Sequence, residues 1–193
     1  MKKSYEFPQI VTRQGDTGRS SNYDGEYYSK DDILFETLGN IDELSSWIGK
    51  IKHLTETRMF CEVVQTTLQY GGSLVATNPR FNTNSEPTNT NYISLKKIKQ
   101  EDVDFLEAKI KSLLETKVTI KNGFVLPGSS LVSADVDIAR SVCRRTERSV
   151  VRYMIQQNGE RYDLKHLSMY LNRLSDLLFT IARFVEQKKG AYL

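Results

Sequence analysis

An all-α fold, a bundle of five helices, is what this sequence predicts. Three observations carry it. Five segments repeat apolar residues at intervals of three and four, the period of one helix face. Strand-like alternation is scarce, so little is available from which to build a sheet. The 193 residues, 39% hydrophobic and 26% charged, suffice for one globular core. No internal repeat or linker divides the chain, so residues 1–193 are read as one domain.

The first predicted helix runs from Ile33 to Ile51 on Ile33, Leu34, Leu38, Ile41, Leu44 and Ile48. Asp31 and Asp32 precede it, where side-chain oxygens cap free N–H groups. The second, residues 57–76, carries Phe60, Val63, Val64, Thr67, Leu68 and Leu74. Its Gly71-Gly72 pair lowers helix propensity but allows close backbone approach. The third, residues 101–114, shows Val103, Phe105, Leu106, Ile110, Leu113 and Leu114. The fourth, residues 130–157, buries Val132, Val136, Ala139, Val142, Cys143, Thr146, Val150 and Met154. The fifth, residues 164–187, follows Leu167, Leu171, Leu174, Leu178, Ile181 and Val185. Three stretches interrupt the pattern. The first, "VTRQGDTGRSSNYDGEYYSKDD", has no period. The second, "NPRFNTNSEPTNTNYIS", is polar and rich in Asn and Thr; residues 78–95 are read as a mobile surface loop, disordered in part, inserted at a helix–helix turn. The third, "IKNGFVLPGSS", is a short connection in which Pro127 and Gly128 end any helix.

A net charge of +3 does not mark the whole chain as a nucleic-acid binder, so any anion site must arise from local clustering. No apolar run approaches membrane-spanning length. "MKKSYEFPQIVTR" lacks the apolar core of a signal peptide. The expected compartment is the cytoplasm, or the mitochondrion where a transit peptide has been removed. Cys61 and Cys143 form no disulfide framework or metal pair and sit on apolar stripes, as core packing. His53 and His166 belong to no motif.

The fourth helix carries Arg140, Arg144, Arg145, Arg148 and Arg152, four of them spaced by four. Their stripe lies beside the buried one and drifts slowly round the axis. Glu147 is placed to pair with Arg144, and Asp137 with Arg140, each three residues away. Positive charge is left over. Two readings stay open: a basic face that is solvated or bridged to a neighbouring helix, and a phosphate site, because guanidinium matches phosphate oxygens in bidentate geometry. Nucleic acid ranks below both, because Tyr153 is the one aromatic residue nearby. The N-terminal stretch adds Gly15, Gly18, Gly25, hydroxyls at Thr12, Thr17, Ser20 and Ser21, and Lys30. Such a stretch makes an anion cradle or a plain Gly/Ser surface loop. It has neither the order of a Walker A loop nor a dinucleotide fingerprint.

Five blocks, "TRQGDTGRSS", "SKDDILFETLGNIDELSSWIG", "FVLPGSS", "ARSVCRRTERSVV" and "YLNRLSDLLFTIAR", together resemble the PduO-type ATP:cob(I)alamin adenosyltransferases, in that family's order and spacing. The resemblance implies a ferritin-like up-and-down bundle, assembled as a homotrimer with ATP between subunits. It implies transfer of the 5′-deoxyadenosyl group of ATP to the cobalt of cob(I)alamin, with release of triphosphate and Mg²⁺ accompanying the nucleotide. Residues 1–31 then form the nucleotide loop. Thr12, Arg13, Gly15, Ser20, Ser21 and Lys30 fall on ATP-contacting positions, joined by Arg144, Arg148 and Asn172. Arg140 falls on a position that pairs with Asp42 of the next subunit. Phe124 matches the aromatic residue that displaces the lower ligand of cob(II)alamin, and Asp176 is placed near the corrin. A cob(II)alamin reductase and an adenosylcobalamin-dependent enzyme are the implied partners. A carrier of cobalamin without turnover and a nucleotide-binding helical adaptor are the competing functions. The chain departs from the family pattern at Gln14, Thr17, Ser130 and Trp47. Gln14 and Thr17 bear on ATP affinity, Ser130 on the stiffness of the loop holding Phe124, and Trp47 on an interface or a wider core.

Overall fold

The computed structural model describes residues 7–13, 15–55, 58–116, 118, 124–157 and 161–187. Its elements are α1 (Phe7–Ile10), the antiparallel hairpin β1 (Arg19–Ser21) and β2 (Tyr27–Ser29), α2 (Ile33–Leu54), α3 (Arg58–Val75), α4 (Thr90–Ser94), α5 (Gln100–Glu115), α6 (Leu131–Gln156) and α7 (Lys165–Gln187). The five long helices match the five periodic segments, with no end displaced by more than three residues. Asp32 caps α2, its carboxylate accepting from the Leu34 N–H at 2.8 Å.

The helix carrying the arginines is central. α6 packs on α2 and α7, α3 lies on α2, and α5 lies on α7. Phe60 of α3 stacks on Phe105 of α5, with ring centroids 6.2 Å apart, and closes the bundle. Leu44, Ile48, Leu68, Leu106, Val136, Cys143, Leu171 and Leu174 are fully buried. Burying each Leu or Ile contributes roughly 1.5–3 kcal/mol. Gly71 earns its place by close approach: a Cβ there would lie 2.7 Å from Leu167 Cδ1. Val63 and Leu114, expected on core stripes, are exposed, because those stripes centre on Cys61, Val64 and Leu68 in α3 and on Val103 and Leu106 in α5.

The Asn/Thr-rich segment is not structureless. Phe81 bridges Pro87 in an antiparallel turn, and Asn89 caps α4. Tyr92 is buried, and its hydroxyl donates to Asp163 at 3.0 Å. Low hydrophobicity suggested disorder, yet the Asn side chains hold the backbone themselves. Asn82 Oδ1 accepts from the N–H groups of Asn84 and Glu86 at 2.9 Å each, the local bonding that suits Asn to turns.

Candidate active site

α6 distributes its five arginines unequally. Arg145 donates to Asn40 at 3.0 Å and pairs with Glu43. Arg152 pairs with Glu36 at 3.3 Å. Arg140 lies over the ring of Phe179, 5.4 Å from its centroid. Among the described residues, Arg144 and Arg148 have no hydrogen bond, salt bridge or ring contact, although they stand one turn apart and both are exposed. The two pairings expected along the helix do not form. Glu147 Oε1 instead accepts from Asn172 Nδ2 at 2.9 Å, and Asp137 pairs with Arg183 of α7 at 2.5 Å. Cross-helix partners win because Asn172 and Arg183 of α7 meet the two acids, while Arg140 lies over the Phe179 ring of the same helix.

Beside this stripe opens a cavity of 890 Å³. Glu43 and Trp47 of α2, Arg140, Arg145 and Arg148 of α6, and Phe179 and Arg183 of α7 line it. The Phe124–Gly128 strand of loop forms its rim, and the Phe124 side chain is fully exposed. Trp47 is half-buried there, with the Lys50 ammonium 5.1 Å from its ring. Along one wall the guanidiniums of Arg140 and Arg183 lie 5.4 and 5.3 Å from the Phe179 centroid. Buried Asp137, together with Glu186 at 2.9 Å, holds Arg183 beside that ring. Asp137→Ala would strand most of a buried cation. Breaking such a pair costs roughly 3–5 kcal/mol, and the remaining Glu186 places this one toward the low end. Urea unfolding checks it; a change below about 1 kcal/mol, the scale of an exposed pair, rejects the buried-pair account. Sequence reasoning missed Asp137, Phe179 and Arg183 as site residues. The available signal was Phe179 and Arg183, four apart on α7 and off its leucine stripe.

Ser130 also has a structural account. It caps α6, its hydroxyl accepting from the Ser133 N–H at 3.1 Å, so it fixes where the loop carrying Phe124 meets the helix.

The N-terminal residues converge from both ends of the hairpin. The Lys30 N–H donates to Gly18 O at 2.9 Å. A Cβ on Gly15 would lie 2.6 Å from Lys30 Nζ, so glycine there lets the ammonium lie against the turn. Arg13 adopts φ 58°, and Gly18 φ 76°. Ser20 and Ser21 lie on β1; Thr12, Arg13, Ser21 and Lys30 are exposed. Gln14 lies outside the described residues.

Two expected members stand apart. Asp42 is exposed on α2 and lines a different groove, with Gln65 and Gln69, so it does not meet Arg140 within one chain. Asp176 lies outside the cavity, 3.5 Å from Arg173. No group of three or more His, Cys, Asp or Glu side chains arranged to hold a metal occurs among the described residues. Burial pushes the Cys143 thiol well above its ordinary range, which rules it out as a thiolate nucleophile. No described helix is long and apolar enough to cross a membrane.

Comparison with known proteins agrees with this architecture. The sequence profile of the family described as cobalamin adenosyltransferase matches residues 10–185. The corrinoid adenosyltransferase of Mus musculus is 37% identical over 189 residues, covering 95% of this chain and 75% of that protein. The corrinoid adenosyltransferase of Citrobacter freundii is 32% identical over 182 residues, covering 92% and 95%. Among solved structures, a phenylalanine-to-alanine variant of a PduO-type ATP:corrinoid adenosyltransferase from Lactobacillus reuteri, complexed with cobalamin and ATP, superposes with a TM-score of 0.75. It is 28% identical, covering 92% of this chain and 93% of that one. An arginine-to-lysine variant complexed with ATP gives 0.71 at 28% identity. With a profile match spanning nearly the whole chain and relatives above 30% identity across most of their length, this chain belongs to the cobalamin adenosyltransferase family.

Proposed function

We propose how this chain performs its family's reaction, the transfer of the 5′-deoxyadenosyl group of ATP to the cobalt of cob(I)alamin. One observation carries the assignment: of five arginines on α6, Arg144 and Arg148 alone lack any pairing or ring contact among the described residues. Two desolvatable guanidiniums one turn apart match two phosphate groups. Thr12, Arg13, Gly15, Ser20, Ser21 and Lys30 hold the triphosphate from the other side, and Asn172 contacts the nucleotide. The loop and the arginines come from adjacent subunits of a homotrimer, in which Asp42 of one subunit pairs with Arg140 of the next.

In the reaction, the cobalt electron pair forms the Co–C5′ bond while the C5′–O bond breaks, and triphosphate leaves with that bonding pair. Cob(I)alamin is a strong nucleophile, so the protein has little acid–base work to do. Its task is to hold the ends in line and to neutralise the leaving group. Mg²⁺ would accompany the nucleotide on the triphosphate oxygens and add to the neutralisation of the leaving group. The 890 Å³ cavity receives one edge of the corrin. Exposed Phe124 at its rim presses beneath the ring and displaces the lower ligand of cob(II)alamin, which eases reduction; Asp176 shapes the surface nearby. A reductase supplies the electron, and an adenosylcobalamin-dependent enzyme takes the product, in the cytoplasm or the mitochondrion.

The test is optical. The protein is mixed with chemically reduced cob(I)alamin, ATP and Mg²⁺, and the visible spectrum is followed. Conversion to adenosylcobalamin faster than the protein-free control is expected. A spectrum altered by binding but not converted would make the chain a carrier, and ATP binding without corrinoid binding would make it an adaptor.

A further inference from the structure

The Asn/Thr-rich segment has no part in that reaction, yet it grips the hairpin that does. Two ties join them, beside a third from the end of α3, where the Tyr23 N–H donates to Ala76 O at 2.9 Å. Asp24 accepts from the Asn78 N–H at 2.8 Å and from Asn91 Nδ2 at 3.1 Å. Arg80 donates to Glu26 at 2.5 Å, and the other oxygen of Glu26 accepts from Asn22 at 2.8 Å and Tyr28 at 2.9 Å. All three ties fall on the turn between β1 and β2. The hairpin itself has little apolar anchorage: Tyr23 and Tyr27 are exposed, and Tyr28 alone meets the core, edge-on to Phe35. Its position therefore depends on polar ties that the segment supplies.

Two further facts mark the contact as built. Arg80 is held at φ 45°, a left-handed conformation uncommon outside glycine, and its carbonyl is bound by the Thr88 N–H and hydroxyl at 2.7 Å each. Both carboxylates are charged at neutral pH. The Arg80 bond holds Glu26 below the usual range, while at Asp24 burial pushes upward and is outweighed by bonds from Asn89, Asn78 and Asn91.

We infer that Asp24, Glu26 and Arg80 are positioning residues for the triphosphate loop: residues 78–91 clamp the far end of the hairpin and so set how well Ser20, Ser21 and Lys30 meet the nucleotide. This rests on the reading that the loop binds ATP. The clamp touches no substrate, so its loss weakens ATP binding without slowing the step that follows.

ATP with Mg²⁺ is titrated calorimetrically into the full chain without corrinoid, and the steady-state constants are measured alongside. Arg80→Ala and Asp24→Ala are each expected to weaken ATP binding about fivefold, the upper end for a solvent-exposed tie. Arg80→Lys restores most of the loss. The kcat at saturating ATP, the KM for cobalamin and the unfolding midpoint stay at wild-type values. Lys30→Ala, measured in parallel, separates the two readings. If it weakens ATP binding and the clamp variants do not, the clamp is wrong and the loop reading stands. If it leaves ATP binding unchanged, the loop reading falls and takes the clamp with it. Clamp variants that lower kcat and the unfolding midpoint together would show a general structural role and overturn positioning.

Discussion

Arg144→Ala loses roughly 10- to 100-fold in kcat/KM for ATP, the scale of one charge-assisted bond of ~1.5–3 kcal/mol. The loss falls on ATP and leaves the fold intact, because Arg144 supports no other residue of its own chain among those described. Arg148→Ala behaves alike. Arg144→Lys recovers part of the loss, since a point charge replaces the bidentate fork. Arg152→Ala is the control: its partner is Glu36, and it leaves the kinetics unchanged. If Arg152→Ala were as damaging as Arg144→Ala, the effect would belong to the overall basic charge of α6, and the specific assignment would fail.

The second large effect depends on the oxidation state supplied. Phe124→Ala binds ATP as before and handles pre-reduced cob(I)alamin nearly normally, but loses roughly 10- to 100-fold when cob(II)alamin and a reductant are the starting point. Covering a phenyl ring is worth ~1.5–3 kcal/mol, which sets that range. The ring is fully exposed within one chain, so truncating it removes no core packing, and no loss of stability confuses the result. Equal losses from both starting states would end the ligand-displacement role and leave Phe124 as a simple contact.

The fold was legible because long amphipathic helices repeat their signal over several turns. Leu44, Ile48, Leu171 and Leu174 could be placed from spacing alone. The site was legible differently. No periodicity distinguishes Arg144 and Arg148 from Arg140 and Arg152 on the same stripe; only tertiary partners do, since Phe179 of α7 lies by Arg140 and Glu36 of α2 by Arg152. Local charge rules misplaced Asp137 and Glu147 for the same reason. An exposed helix pair gains a few tenths of a kcal/mol, about what any suitably placed residue on the next helix can outbid. The Asn/Thr segment failed in the opposite sense. Composition reports how much apolar surface a stretch can bury, and this one holds itself by amide hydrogen bonds that composition does not weigh.

Trp47 has one more consequence. It is the chain's single tryptophan, and it stands in the wall of the 890 Å³ cavity. Corrins absorb strongly where indole emits, so a ring seated there drains the excited state by energy transfer. With the corrin seated as proposed, the expected result is that ultraviolet emission dims as the tetrapyrrole arrives and brightens as it departs. Loading and unloading can thus be timed on the unlabelled protein, apart from the colour change of alkylation.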